Sequence, residues 1–580
     1  MANPRALPCD EAAIRASATV PACAAHKTWV LAAAVLGSTL AFVDESVVNV
    51  ALPKMESDLG ATLAAMQWVI NAYMLCMSAL LLVGGATADQ FGRRRIFLIG
   101  VVVFAAASLG CGLAANVGVL IAARTVQGAG AALLVPCALA LIGAAFDERE
   151  RGAAIGIWSG ASAIAAGVAP LLGGVLVDHW SWRVIFLINP VLAIPTLWIT
   201  LRHVPESRDP LAGSAIDWRG ALLAFTGLGS VVYGLIASSA RGPSDPRVLT
   251  ALPLGVLLLV AFVLAERGSR SPMMPLELFR SRVFSGINVL TLLLYGALGG
   301  AFFFLPFLLI QARGDSTTAA GAAYLPFTLV LGVLSRWSGQ LMDRFGARGP
   351  LSVGPIVAAL GFVLLALGGG RYGFTLLAMT VLGFGMAVTV APLTATVLNA
   401  VPAHRTGVAS GINNAVAAIG SLLLIAALGS VALAVFNHSL DRELRAVDAP
   451  AGVAQAVHAA RNGFVIPAMP ASLAPAERER ARTIIEEALV QTVRFALWIA
   501  AALALLSALS AALTIPRGQQ RGVPLPGPPG TGPTTRARAL RETSMSSIGI
   551  PFRARTRQAL EYSFPRPTST AVVADAHGRR

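Results

Sequence analysis

The sequence predicts an all-α membrane protein: fourteen transmembrane helices in two six-helix halves, helices 1–6 and 9–14, with an inserted pair 7–8. Three observations predict it. Of 580 residues, 56% are hydrophobic and only 13% charged, and a soluble domain carries about a quarter charged residues because its surface must face water. Mean hydropathy is +0.71, and most apolar runs reach the roughly 20 residues needed to cross a bilayer. One loop motif also occurs twice at equivalent places. This composition excludes an ordinary soluble enzyme and a disordered chain.

The spans are expected near 28–50, 65–87, 96–115, 117–145, 153–177, 183–201, 218–238, 248–266, 284–310, 319–340, 350–369, 373–399, 406–436 and 491–515. The chain divides accordingly. An N-terminal arm covers 1–27 and a six-helix half 28–201. The inserted pair with its linkers covers 202–283. A second half covers 284–515, including a long connection at 437–490, and a tail covers 516–580. Met1 to Lys27 lacks the compact apolar core of a secretory signal, so the first span is expected to stay in the protein. In the connection, the stretch from Pro475 to Leu489 has amphipathic helical spacing.

Charge orients the spans. With the N-terminus inside, the short inside loops carry fifteen Arg, and the short outside loops carry six Lys or Arg. That is the positive-inside pattern, and an even number of spans puts both termini in the cytoplasm of an inner, or plasma, membrane. The tail from Pro516 holds eleven Arg against Glu542, Glu561 and Asp575, so it supplies +8 of the net +15. It is Pro-, Gly- and Ser-rich, lacks a nucleic-acid-binding motif, and reads as a disordered segment facing anionic lipid. Cys76, Cys111 and Cys137 lie in apolar runs as small hydrophobes, and no spacing of the five Cys suggests a metal site.

The repeated motif follows spans 2 and 10. The first copy is Gly85-Ala-Thr-Ala-Asp89-Gln90-Phe91-Gly92-Arg93-Arg94-Arg95. The second is Gly339-Gln-Leu-Met-Asp343-Arg344-Phe345-Gly346-Ala347-Arg348. Glycine lets helices approach closely. An aspartate at a helix end can hold a neighbouring helix N-terminus or an arginine across the cytoplasmic face, and the Arg cluster anchors to lipid phosphates. Such a contact can latch one conformation and break in another. The plainer reading is a tight loop that obeys the charge rule. Paired helical halves around a midplane site are a transporter architecture.

Ionisable residues inside a membrane are costly and point to function. Span 1 holds Asp44 and Glu45, and span 4 holds Arg124. At a rise of about 1.5 Å per residue, Asp44 and Arg124 fall at similar height in the outer half. Asp44 and Glu45 point about 100° apart. Glu45 shares a face with Asn49, and Arg124 shares one with Gln127 beside Gly128. One acid is expected to meet water and the other to pack near Arg124; spacing does not say which. A purely structural ion pair between spans 1 and 4 is the alternative. No metal-binding, nucleophile-elbow or phosphate-loop motif is present. An ion gradient rather than ATP is therefore expected to supply energy, and buried carboxylates suit protons. In span 5, Gly167, Pro170, Gly173 and Gly174 make a kinked, small-residue helix that either seals against a neighbour or is ordinary close packing.

Together these stretches resemble the major facilitator superfamily, specifically its fourteen-helix drug:proton antiporters. The resemblance runs over about residues 28–515. It rests on Val43–Pro53 in span 1, Gly85–Arg95, Arg124-x-x-Gln127-Gly128-x-Gly130 in span 4 and Gly167–Gly174 in span 5. Trp180–Pro190 and Asp217–Gly220 add to it. It implies alternating access by two rocking halves and export of amphipathic drugs against proton influx. It gives Asp44 the first-helix acid role and Arg124 a proton-relay or gating role, with no cofactor and no enzyme activity. The partners it implies are the substrate, protons, membrane lipids and, in some relatives, a periplasmic adaptor; the 437–490 connection would bind an adaptor or form a solvated cap. Gln90 and Ala169 depart from the family's usual basic residue and glycine. Export or symport of an endogenous metabolite is the near alternative, and a membrane-embedded enzyme or a non-transporting sensor is the distant one.

Overall fold

The computed structural model describes residues 24–208, 217–269, 272–402, 405–446, 449–467, 469–470 and 472–516. The expected tail beyond Pro516, most of the N-terminal arm, the surroundings of Gly339 and the Asp343 side chain lie outside what is described. No strand occurs among the described residues, and fourteen helices are long and apolar enough to cross a membrane. They are α1 (Ala24–Leu59), α2 (Leu63–Phe91), α3 (Arg93–Gly112), α4 (Val117–Ala145), α5 (Glu148–His179), α6 (Val184–His203), α7 (Trp218–Arg241) and α8 (Pro246–Gly268). Then come α9 (Arg282–Pro306, continued by a π turn, Phe307–Ala312) and α10 in two pieces (Thr317–Ala322 and Leu325–Phe345). The last four are α11 (Arg348–Gly368), α12 (Tyr372–Asn399), α13 (Thr406–Ala446) and α14 (Pro475–Thr514).

Local chemistry sets many of the ends. The side chains of Thr62, Asn116, Asp147, Asp217 and Ser281 each accept a backbone N–H from the first turn of the helix they precede, filling donors that helix geometry leaves unpaired. Gly92 and Gly346 close the two copies of the repeated motif alike. Each donates its N–H to a carbonyl four residues back (Ala88, 3.0 Å; Met342, 2.9 Å) at positive φ of 113° and 68°, where other residues are strained.

The packing repeats as the motif does. In the first half α1 packs on α5 and α6, α2 on α4, and α3 on α4 and α6. Counted eight helices further on, α9 packs on α13 and α14, α10 on α12, and α11 on α12 and α14. The halves meet along two seams, α2 with α13 and α5 with α10. The inserted helix α7 lies against both α2 and α13, bonded by Ser238 Oγ to Ser430 Oγ at 3.1 Å, and α8 packs on α7.

Fourteen crossings return the chain to the end where it began; we term this the terminal end and its opposite the far end. At the far end the halves are tightly joined. The Asp178 carboxylate of α5 accepts the N–H groups of Thr317 (3.1 Å) and Thr318 (2.7 Å) at the start of α10, and the Thr318 hydroxyl at 2.6 Å. Gln67 of α2 donates to the Ile425 carbonyl of α13 at 2.6 Å.

The connection after α13 is shorter than its hydropathy suggested. The helix α13 runs to Ala446 and α14 starts at Pro475, so only 447–474 lies between them, with a short helix at Ala451–His458. The amphipathic stretch from Pro475 is the first part of α14 itself. Hydropathy ends a span where polarity rises, whereas backbone hydrogen bonding continues until a breaker interrupts it. Residues 462–466 bridge the halves. Asn462 accepts the Leu63 N–H (3.1 Å), the buried Glu56 of α1 accepts the Phe464 N–H (2.9 Å), and Gln311 accepts the Ile466 N–H (3.3 Å). The Phe464 ring is fully buried among Phe304, Phe307 and Phe436.

Candidate functional site: a buried carboxylate network

Close packing brings the ionisable residues of α1 and α4 together. At Gly128 a side chain would meet Tyr73 backbone (Cα at 3.0 Å), and at Gly130 it would meet the Phe104 backbone nitrogen at 2.8 Å. These two glycines seat α4 against α2 and α3. Arg124, one turn earlier, then reaches the Val69 carbonyl with Nε at 3.1 Å and stacks over the Tyr73 ring, its guanidinium carbon 4.2 Å from the centroid. The ring face and the carbonyl both favour a cation there.

Asp44 and Arg124 are 0% and 1% exposed and form an ion pair through Oδ2 and Nη1. The other carboxylate oxygen, Oδ1, accepts Gln127 Nε2 at 2.7 Å and Asn189 Nδ2 at 3.0 Å. Gln127 in turn accepts Arg124 Nη1 at 2.7 Å and donates to Ser108 Oγ at 2.7 Å. Asn189 Nδ2 also lies 3.3 Å from Ser108 Oγ. Gln127, Ser108 and Asn189 are all 0% exposed. Five helices, α1, α2, α3, α4 and α6, thus converge on one carboxyl group. Three donors and no acceptor face it, which is the environment of an ionised carboxylate. A buried charge pair is tolerated when its remaining hydrogen-bonding capacity is filled this way.

Glu45 is only half-buried, and among the described residues it forms no ion pair; Arg124 pairs with Asp44. Asn49, also half-buried, uses its amide to donate to the Glu45 backbone carbonyl at 3.2 Å. The structure therefore separates the adjacent acids: Asp44 meets Arg124 and Gln127, and Glu45 does not.

The motif residues sit apart from this network, at the terminal end. Gly85 faces Pro136, its nearest neighbour at 3.7 Å from an added Cβ. Asp89 pairs with Arg93 of the same motif at 2.8 Å, rather than with an arginine across the face. The α3 N-terminus is held instead by Glu206, whose carboxylate accepts the N–H groups of Arg94 (3.0 Å) and Arg95 (3.1 Å); Arg94 also donates to the Leu201 carbonyl at 2.5 Å. In the second copy Arg344 is exposed and Gly346 closes α10.

In α5, Gly167 packs on the Thr328 side chain of α10, where an added Cβ would lie 2.8 Å from Thr328 Cβ. Gly174 would meet Thr318 Cα at 2.7 Å, Gly173 faces Val47 of α1, and the Pro170 carbonyl approaches Gly321 of α10. Gly152, Gly156 and Gly160 share the helix face of Gly167 and Gly174, yet have nothing within 4 Å of an added Cβ. The α5–α10 seam is closed toward the far end and open toward the terminal end.

Counting charges alone misses several participants. Ser108, Asn189 and Tyr73 are neutral, and Glu206 and Asp178 lie at helix ends where acids are common. The usable signal was polarity at depth: Ser108 and Asn189 interrupt apolar runs at the height of Asp44. Among the described residues no group of three or more His, Cys, Asp or Glu could hold a metal ion.

Comparison with known proteins extends this picture. The family model for the Major Facilitator Superfamily matches residues 34–425. Multidrug resistance protein Stp of Mycobacterium tuberculosis is 36% identical over 418 residues, 72% of this chain and 78% of that one. The tetracenomycin C resistance and export protein of Streptomyces glaucescens is 34% identical over 402 residues, covering 69% and 74%. The puromycin resistance protein pur8 of Streptomyces alboniger is 36% identical over 413 residues, covering 70% and 82%. Among solved structures, a bacterial homolog to the human lysosomal transporter Spinster aligns with TM-score 0.57 at 19% identity, over 84% of this chain and 97% of that one. A D-xylose-proton symporter aligns with TM-score 0.56 at 15% identity, over 86% and 99%; these two likenesses speak to the fold.

Proposed function

The chain belongs to the Major Facilitator Superfamily, and on that premise we infer that it is a proton-coupled exporter of amphipathic drugs or toxic small molecules, working by alternating access. The relatives named for resistance and export supply the direction and the substrate class. The observation that carries the coupling is the wholly buried Asp44 carboxylate, matched to Arg124 and saturated by amide donors. A carboxyl group so placed is costly, and a bilayer-embedded bundle keeps such a group for ion traffic.

The terminal end is read as cytoplasmic, from the excess of arginine in its loops, and the far end as external. The structure then corresponds to a state sealed outside and open inside, in which substrate loads while Asp44 is charged. External protons neutralise the carboxylate once the far end opens, its hold on Arg124 lapses, and substrate leaves. Glu45 is less deeply buried than Asp44, which supports it as the acid that meets water in the loading state. The 447–474 segment is packed over the bundle by the Glu56 and Phe464 contacts, which favours a cap over an adaptor platform. Asp89–Arg93 and Glu206 order the cytoplasmic latch of the first half. No cofactor enters this cycle.

The test is dye efflux from loaded cells that overexpress the chain. Efflux above the empty-vector level is expected, and a protonophore is expected to abolish it. Unchanged efflux after collapse of the proton gradient would overturn the coupling.

A further inference from the structure

Asn189 has a feature that its place in the network does not use. Its amide nitrogen donates to Asp44 Oδ1 and lies near Ser108 Oγ, while its Oδ1 is buried and has no hydrogen-bond partner. An orphaned buried acceptor is costly and calls for a reason. It lies on the same terminal amide that touches the one carboxylate of the network. We propose that Asn189 is a positioning residue that reads the charge of Asp44: its amide donates to the carboxylate and, after a half-turn about its terminal bond, accepts from the protonated acid. This rests on the proton-coupled reading given above.

The argument is one of acceptors. A proton that bonds to Asp44 Oδ1 creates an O–H donor in a water-poor pocket, and that donor needs a partner. The Gln127 carbonyl already receives Arg124 Nη1, and the Ser108 hydroxyl already receives Gln127 while giving its own proton to the Phe104 carbonyl at 2.8 Å. The free acceptor beside Asp44 is Asn189 Oδ1. The half-turn leaves one orphan in each state, an oxygen before and a nitrogen after. The turn gives up the long 3.3 Å bond to Ser108 Oγ and keeps the one to Asp44 with its direction reversed, and the proton stays on Asp44 while Arg124 keeps its charge. A hydrocarbon at this place serves neither state, and a group that only donates or only accepts serves one.

The other groups facing Asp44 do not supply this exchange. Arg124 of α4 only donates, and Tyr73 of α2 lies beneath the Arg124 guanidinium. Cys111 of α3 points its sulfur at Gln127 Oε1, 3.6 Å away. Glu45, the next residue of α1, is near enough to feel the charges of Asp44 and Arg124, but its side chain forms no hydrogen bond or ion pair with Asp44 among the described residues. The α5 helix carries its titratable groups only at its two ends, Glu148 to Arg151 and Asp178 with His179.

The experiment uses the full chain in proteoliposomes with one fluorescent cationic dye, comparing Asn189→Leu and Asn189→Gln with the unsubstituted protein. Two fluxes are read: efflux driven by an imposed pH gradient, and dye counterflow at equal pH, which needs no net proton movement. The Leu variant is expected to lose tenfold or more in the maximal rate of driven efflux, with KM within twofold and counterflow within twofold. The Gln variant, which keeps both hydrogen-bonding functions, is expected to recover driven efflux to within threefold. Equal loss of both fluxes in the Leu variant would make Asn189 a structural residue and overturn the proposal; so would unchanged driven efflux, or failure of the Gln variant to recover. Should the Leu variant not fold, the Gln variant decides by the same two fluxes. If the unsubstituted protein shows counterflow but no gradient-driven efflux, the proton-coupled reading itself fails, and the proposal with it.

Discussion

At the residue scale, the account turns on one charge pair and the amides around it. Removing one member of a buried pair strands the other, at a cost of about 3–5 kcal/mol, whereas replacing both with apolar groups is often near neutral. Arg124→Leu and Asp44→Leu are therefore each expected to lower thermal stability markedly, and the double variant is expected to be more stable than either. A thermal-shift double-mutant cycle reads this, and additive losses would mean that the two residues do not interact. Arg124→Lys keeps the charge but cannot reach Asp44, Gln127 and the Val69 carbonyl together; it is expected to fold and to lose most gradient-driven efflux. The pair itself was legible in the sequence. Two ionisable residues at equal depth in separate spans already suggested it, because their isolation in hydrocarbon would be intolerable. Which acid faced Arg124 was not legible. Adjacent residues differ by about 100° in direction, and only the packing of α1 against α4 and α6 selects between Asp44 and Glu45. Ser108 and Asn189 escaped because a neutral polar residue in a span is cheap enough to be unremarkable on its own.

At the scale of elements, α5 reads as a zip with its far half engaged. Gly167 and Gly174 are occupied by α10, while Gly152, Gly156 and Gly160 on the same face have open space. If the terminal end closes in the alternate state, that lower stripe must meet a neighbour. Gly156→Leu is expected to leave stability within about 0.5 kcal/mol, as an exposed site does, yet to cut transport at least tenfold by blocking closure. Counterflow and a thermal shift measure the two effects, and normal transport would show that the stripe never closes. Gly174→Val acts in the opposite sense. Its side chain would strike the Thr317–Thr318 backbone, which cannot yield as a side chain can, so the far end is expected to loosen. A cysteine placed at Ser316 should then react faster with an impermeant thiol reagent; unchanged labelling would contradict it. The sequence placed every one of the fourteen helices, because length and hydropathy are local properties. It misjudged the ends of α13 and α14, since their polar outer turns are stabilised by contacts with distant segments that no local window contains.

At the scale of the whole molecule, the two halves repeat each other's packing and differ in chemistry. The buried charge pair occupies α1 and α4, and the matching helices α9 and α12 hold no Asp, Glu or Lys, with Arg only at the outset of α9. The buried charge pair is therefore a feature of one half, whereas the packing pattern is common to both. At the far end they are joined by a small set of contacts: Asp178 on α10, Gln67 on α13, and the 462–466 segment pinned by Glu56 and Phe464. Each such contact must break when the far end opens. Phe464→Ala, which empties a pocket between both halves, is expected to speed opening and raise labelling of far-end cysteines; a rate equal to that of the unsubstituted protein would remove the segment from the gate. The central claim is that proton entry is coupled to export through the Asp44 carboxyl. It is tested most directly by the Asp44→Asn variant in proteoliposomes under an imposed pH gradient, since asparagine keeps an oxygen for Arg124 but cannot change charge. The account predicts no gradient-driven efflux with dye counterflow preserved. Driven efflux at the rate of the unsubstituted protein would contradict it.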